Sequence, residues 1–224
     1  MPELSSDDYS GSGHEEALSL LRAASYQEYL SAHPGLSRTM RARDREIRLG
    51  ADDQYFFSAF TDPIHFVVVA SPTHRDTAII VPLLEHVRRC LPRGSFCVVE
   101  PDRWAKFARR TQVVPLSLRD LRAAELPHLF VLDGQLGYLG EWGPQPEAFD
   151  SYLQAWMAEE NGGDATLPQL GTADSIPLHV IRMWYNSGLN VDCAAEIRSL
   201  LEVSSANSPG SENVGEGDGA ASGP

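Results

Sequence analysis

The segment that most constrains this chain is Ile64 to Ala70, Ile-His-Phe-Val-Val-Val-Ala, an apolar run with almost no polar interruption. A run of this length and β-branched content reads as a strand covered on both faces, which demands layers of structure above and below a sheet. It breaks into Ser71-Pro72-Thr73-His74-Arg75-Asp76 and then feeds a helix from about Thr77 to Cys90, with Ile79, Ile80, Leu83, Leu84 and Val87 along one side. Pro82 lies inside that helix and is expected to kink it. The strand-to-helix corner is where α/β proteins usually keep their chemistry.

The next elements extend the same plan. Ser95 to Val99 reads as a second strand ending before Pro101, and a short helix follows with Trp104, Phe107 and Ala108. A strand, a helix and a strand of these lengths imply a right-handed parallel crossover. After a short helical piece from Ser117 to Ala124 comes Leu126-Pro127 and a third strand, His128 to Leu132. Asp133-Gly134 is a turn signal, Leu136 to Trp142 is the returning strand of a hairpin, and Glu147 to Met157 is a closing helix. The order predicts an α/β fold: a central mixed sheet of four strands with helices on both faces.

The flanks are different. Residues 1–13 are expected to be a disordered acidic terminus and 14–60 a helical segment. In the latter, Leu18, Leu21, Tyr26 and Leu30 approximate helical spacing, Pro34-Gly35 is punctuation, and Ser37 to Leu49 is a second helix. That helix carries five arginines, read as a solvated face. Residues 61–160 form the core, and 161–203 a linker followed by a helical pair. Ser175 is the expected N-cap of the first helix and Gly188 its stop, and Asn190 or Asp192 opens the second. Residues 204–224 are Ser, Gly, Ala, Asn and Glu with almost no apolar side chain, the composition of a disordered tail.

Charge excludes some functions. The net charge is −13, but residues 1–16 hold five acidic side chains and residues 204–224 hold three, with no Lys or Arg in either, so the body carries only −5. No basic stripe suited to a phosphate backbone exists, which argues against nucleic acid as a partner. No window holds the ~18 consecutive apolar residues of a membrane span. The amino terminus lacks a secretory pattern, so a cytoplasmic location is expected. Cys90, Cys97 and Cys193 are odd in number and far apart, and read as small buried apolar residues rather than a disulfide framework.

With these marks in order, the chain resembles a bacterial thioredoxin-like family with a helical amino-terminal segment, a thioredoxin core and a helical tail. The likeness covers roughly Ser25 to Leu201. Leu126-Pro127 falls at the fold's cis-proline, and Leu132-Asp133 with Gly140-Glu141-Trp142-Gly143-Pro144 matches its hairpin and the Trp-Gly-Pro that follows. In that family the corner typically reads Asp-Trp-Cys-Gly-Asp-Ala, followed by a helix proline. Aligning Asp76 and Pro82 puts Pro72, Thr73, His74 and Arg75 at the first four positions, so His74 stands at the cysteine, and Thr77 replaces the alanine.

The chemistry expected at the corner follows from that replacement. A helix N-terminus favours a thiolate and disfavours an imidazolium, and His74 cannot form a mixed disulfide, so no thiol–disulfide oxidoreductase activity is expected there. One reading is a non-redox module that binds a protein or peptide partner in a groove formed by Thr73, His74, Asp76, Leu126, Pro127 and Trp142. The alternative is a thiol-dependent, glutathione-using enzyme of the same superfamily working through Ser71 or Thr73, with Ser71, Thr73 and His74 as catalytic candidates. Against it, Ser71 and Thr73 also suit simple helix capping. A metal site would gather His65, His74, Asp76 and His128, but His65 and His74 stand at opposite ends of a strand and no ligand-spacing motif is present. No metal and no cofactor are expected.

Overall fold

The computed structural model describes residues 25–111, 114–160 and 176–206, together with Ser19. Three helices precede the sheet: α1 (Tyr26–Ala32), α2 (Pro34–Asp44) and α3 (Ala51–Ala59). A capping box starts α1. The Ser25 hydroxyl accepts from the Glu28 amide (3.3 Å) and the Glu28 carboxylate accepts from the Ser25 amide (2.8 Å), which satisfies donors that the first turn leaves open. Pro34 stands at the first position of α2, where its missing N–H costs nothing. Pro34-Gly35 therefore opens a helix instead of interrupting one. The α3 helix falls inside the expected helical segment 14–60, as a third helix beyond the two whose spacing outlines them.

The sheet has the order β2-β1-β3-β4, with β1 Ile64–Val69, β2 Gly94–Val99, β3 His128–Asp133 and β4 Tyr138–Trp142. β1 and β2 are parallel, from Ile64 opposite Gly94 to Val69 opposite Val99. The connecting helix α4 (Thr77–Cys90) is the crossover, and Pro82 lies inside it. β3 runs antiparallel to β1 and to β4, with a register shift at Val131/Leu132. The expected mixed four-stranded sheet is thus present.

Alternation along β1 makes two cores. Ile64, Phe66 and Val68 join α4, the amino-terminal helices and the carboxy-terminal helices on one face. Val67 and Val69 face α5 (Pro101–Thr111), whose Trp104, Phe107 and Ala108 fill the second core. There the Trp104 ring stacks on Phe130 at 4.2 Å, and its indole N–H donates to the Leu118 carbonyl (3.1 Å). Between α5 and β3, the expected helix over 117–124 is instead two single 3₁₀ turns, Leu116–Leu118 and Ala123–Glu125.

α6 (Phe149–Glu160) closes the core segment. The carboxy-terminal extension is one continuous rod: α7 (Leu178–Trp184), a π-helical turn (Tyr185–Leu189) and α8 (Asn190–Ala206). Gly188 lies within the π turn and does not stop the helix, and a Cβ there would meet the Tyr152 hydroxyl at 2.7 Å. The rod enters at Pro177, and Ser175, the expected cap, lies outside the described residues. So do residues 1–13, the linker 161–175, and all but the first three positions of the tail from 204. Those three belong to α8.

The arginine face of α2 needs correction as well. Arg43 is fully buried and donates to the amide oxygens of Asn186 (2.5 Å) and Asn190 on the rod, with the Tyr185 ring centroid 5.8 Å from its Cζ. Among the described residues no helix is long and apolar enough to cross a membrane.

Candidate functional site at the strand-to-helix corner

β1 ends where the Ala70 amide donates to the Val99 carbonyl (2.9 Å), and the chain then turns. Ser71 braces the turn. Its carbonyl accepts from the His74 amide (3.1 Å) and from the Thr77 hydroxyl (2.8 Å). Its side-chain oxygen accepts from the Thr73 amide (3.3 Å) and shares a 2.8 Å hydrogen bond with the Thr73 hydroxyl. This is the local work that short hydroxyl side chains do at helix starts.

Asp76 occupies the N-cap position of α4, but its side chain does not cap the helix. It is 4% exposed and accepts from Arg75 Nε (3.2 Å) and Gln145 Nε2 (2.9 Å). Arg75 Nη1 in turn donates to the Ile176 carbonyl at the entrance of the rod (2.7 Å). The corner is therefore tied to both the segment after β4 and the carboxy-terminal extension.

The facing wall is set by strand register. Val69 pairs with His128, so Ala70-Ser71 and Leu126-Pro127 leave the sheet at the same end. The Leu126–Pro127 peptide is cis. Gly143 presses on this wall: at φ +127°, a Cβ there would lie 2.7 Å from the Pro127 carbonyl oxygen. Leu126 and Pro127 are buried, and so is Trp142, whose indole N–H donates to Glu196 Oε2 on α8 (2.6 Å). Glu196 also accepts from the Glu147 amide (2.9 Å).

The structure thus sorts the expected groove residues. Thr73 is exposed, and Ser71 and His74 are half-buried, with the buried Nδ1 of His74 finding no hydrogen-bond partner among the described residues. Asp76, Leu126, Pro127 and Trp142 are structural walls whose side chains face inward. At the side-chain level, the accessible part of the groove is Ser71, Thr73 and His74.

The proposed metal donors do not converge. His65 Nδ1 lies 2.6 Å from the Ser95 hydroxyl at the far end of β1, and His128 Nε2 pairs with Glu141 Oε2 at 3.1 Å. Among the described residues no three His, Cys, Asp or Glu side chains come together as a metal-binding group. The thiols are elsewhere too. Burial pushes the Cys97 thiol up to about 12 and the Cys193 thiol well above its ordinary range, and half-buried Cys90 is raised by the same cause.

Gln145, Glu141, Glu196 and the Ile176 carbonyl complete the site and were not singled out in the sequence. Only Glu141 had a usable signal. Phe130 opposes Glu141 across the hairpin, which makes Glu141 the diagonal neighbour of His128.

No protein-family model matches the chain, and no curated protein matches it. Two crystal structures are similar in fold. One is a protein of unknown function, PA1234 from Pseudomonas aeruginosa, with a TM-score of 0.53 at 16% identity, covering 82% of this chain and 95% of that one. The other is an HIV epitope-scaffold, with a TM-score of 0.54 at 13% identity, covering 83% and 97%. At such identities the likeness is one of fold, and the chemistry must be read from the corner itself.

Proposed function

We propose that this chain is a thioredoxin-like protein, of the bacterial and cytoplasmic kind expected from its sequence, that has no redox cysteine and binds a protein or peptide partner at the corner. The observation that carries the reading is the pairing of an accessible Thr73-His74 edge with the buried Leu126-Pro127 wall, at a corner that holds no thiol. Every cysteine is remote and has its thiolate disfavoured by burial.

An extended ligand would lie beside Leu126 and present its backbone there. The Leu126 amide is already closed onto the Ala123 carbonyl (3.3 Å), so the carbonyl of Leu126 is the group that receives a ligand N–H. Thr73 and the accessible part of the His74 ring then supply side-chain contacts.

The glutathione-using alternative draws on the two hydroxyls. Its weakness is that Ser71 and Thr73 already satisfy each other and the turn. Retention on glutathione resin, lost in Ser71→Ala or Thr73→Val, would support the enzyme and count against the binding module.

The redox half of the proposal is tested by dithiothreitol-driven insulin reduction. The wild type is expected to be inactive and His74→Cys to gain a reactive thiol with a depressed pKa, since that sulfur would sit at the start of α4. Wild-type activity would overturn the reading. The binding half is tested by peptide display on the purified protein: selected peptides should lose binding on Thr73→Trp, and binders indifferent to that change would refute the corner as the site.

A further inference from the structure

A second concave site lies one strand away from the corner, at the carboxyl end of β2. The cleft has a volume of about 460 Å³, within the range of small-molecule sites, and is walled by α1 on one side and the start of α5 on the other. Ligands of open α/β sheets bind outside the carboxyl ends of the strands, and this cleft opens there without using any residue of the corner.

Its origin is in the packing of α5. Trp104, Phe107 and Ala108 are buried in the second core, which turns Arg103 and Lys106, three residues apart and so neighbours on the helix surface, along the flank that borders the cleft. Neither makes an ion pair or hydrogen bond among the described residues. Opposite them, α1 contributes Glu28, and the β2–α5 junction contributes Glu100. The Glu100 carboxylate lies 3.5 Å from His33 Nε2. The Glu28 carboxyl is held below its ordinary pKa, first by the Ser25 hydrogen bonds and then by the nearby Arg103 charge. The floor is the end of β2 at Val98 and Val99, whose side chains lie in opposite cores, and beside it stands the ring of Tyr29, which packs on His33 at 4.6 Å.

The lining is therefore dipolar, with cations on one wall and carboxylates on the other. With Asp102 included, its acidic groups outnumber its Arg and Lys by three to two, a balance that disfavours a polyanion such as a nucleotide triphosphate. A lone cation would meet Arg103 and Lys106. A ligand carrying both signs meets neither penalty.

We propose that this cleft binds a small zwitterion of free-dipeptide size, with its carboxylate on Arg103 and Lys106, its ammonium toward Glu28 and Glu100, and an apolar side chain against Tyr29 and Ala32 of α1. The assignment does not depend on what the corner binds.

The test is amide chemical-shift titration of the full chain with leucyl-leucine, N-acetyl-leucyl-leucine and leucyl-leucine amide. The free dipeptide should give saturable shifts at residues lining the cleft. Each capped form should bind at least about tenfold more weakly, as should the free dipeptide to the Arg103→Ala/Lys106→Ala double variant. Thr73→Trp, at the corner, should leave the affinity unchanged. Absence of saturable shifts at millimolar dipeptide, equal binding of the capped forms, or full affinity in the double variant would each overturn the assignment. Both substituted side chains are exposed, so the double variant should retain the wild-type circular dichroism spectrum.

Discussion

Arg43 carries a charge into the core, and neutral amides do most of the work of accommodating it. Burial lowers its guanidinium pKa to about 10, and the Glu46 carboxylate 3.9 Å away is shared with Arg182. The two amide oxygens of Asn186 and Asn190 match the guanidinium fork. Replacing Arg43 with Met should leave the buried Asn190 oxygen unsatisfied, while the exposed Asn186 turns to water, and cost about 1–3 kcal/mol, read as a lower urea midpoint with an unchanged slope. Arg43→Lys should recover only part of the loss, because an ammonium is a point charge. The thiols give a pH prediction. Cys97 titrates at an ordinary 9.0 when unfolded and at about 12 when folded, so the native state holds its proton more tightly between those values. The stability that this contributes is fully present below pH 9 and is lost as pH rises through the folded value. Urea midpoints should therefore fall above pH 9, and Cys97→Ala should flatten the fall. The burial of Arg43 could not be read from its own neighbourhood. An arginine-rich helix looks solvated until amides more than 140 residues away supply the partners.

At the level of elements, the parts with strong local signals were legible. The apolar run of β1, the one-sided pattern of α4 and the Asp133-Gly134 turn each fixed an element within a residue or two. The misreadings occur where tertiary packing sets the backbone. Gly188 looks like a helix stop but is small because Tyr152 crosses there, and α3, Ala-Asp-Asp-Gln-Tyr-Phe-Phe-Ser-Ala, has too weak an apolar stripe to announce itself. The same distinction applies to the site. Ser71, Thr73 and His74 were visible as a corner, whereas the inward commitment of Asp76 and Trp142 depends on Gln145 and Glu196, which arrive from distant segments. Gly143 sits at the joint between these levels. It needs a positive φ, and it presses on the Pro127 carbonyl, a backbone atom that cannot swing away. Gly143→Ala should therefore cost at least about 2 kcal/mol and should disturb amide signals along Leu126 to Leu129, whereas Gly35→Ala, with open space around it, should not.

Across the whole molecule, the carboxy-terminal rod acts as a clamp on the first core. Ile181, Trp184, Tyr185, Leu189, Ile197 and Leu201 are buried there beside residues of β1, β3 and α4. Its polar contacts reach every other part of that face. Arg182 pairs with Glu46 of the α2–α3 segment, Glu196 takes the Trp142 indole and the Glu147 amide, and the Ile176 carbonyl takes Arg75 at the corner. The rod also lies against β4, since Gly140 packs on Leu200 and the Leu139 carbonyl accepts from the Ser204 hydroxyl (3.4 Å). A chain ending before Ile176 would lose the six buried apolar side chains, at about 1.5–3 kcal/mol for each large aliphatic one, and would strand Arg43. That sum is comparable to the whole net stability of a typical domain, ~5–15 kcal/mol. The shortened chain should keep much of its far-ultraviolet dichroism, bind a hydrophobic dye and unfold over a broad urea range, with no sharp transition. A sharp transition at the full-length midpoint would instead mean that the sheet and α4 form a domain by themselves, with the rod as a passenger. Glu196→Ala offers a smaller version of the same test. It leaves the apolar packing in place but removes the acceptor for the Trp142 indole, so it should lower the midpoint without abolishing cooperativity.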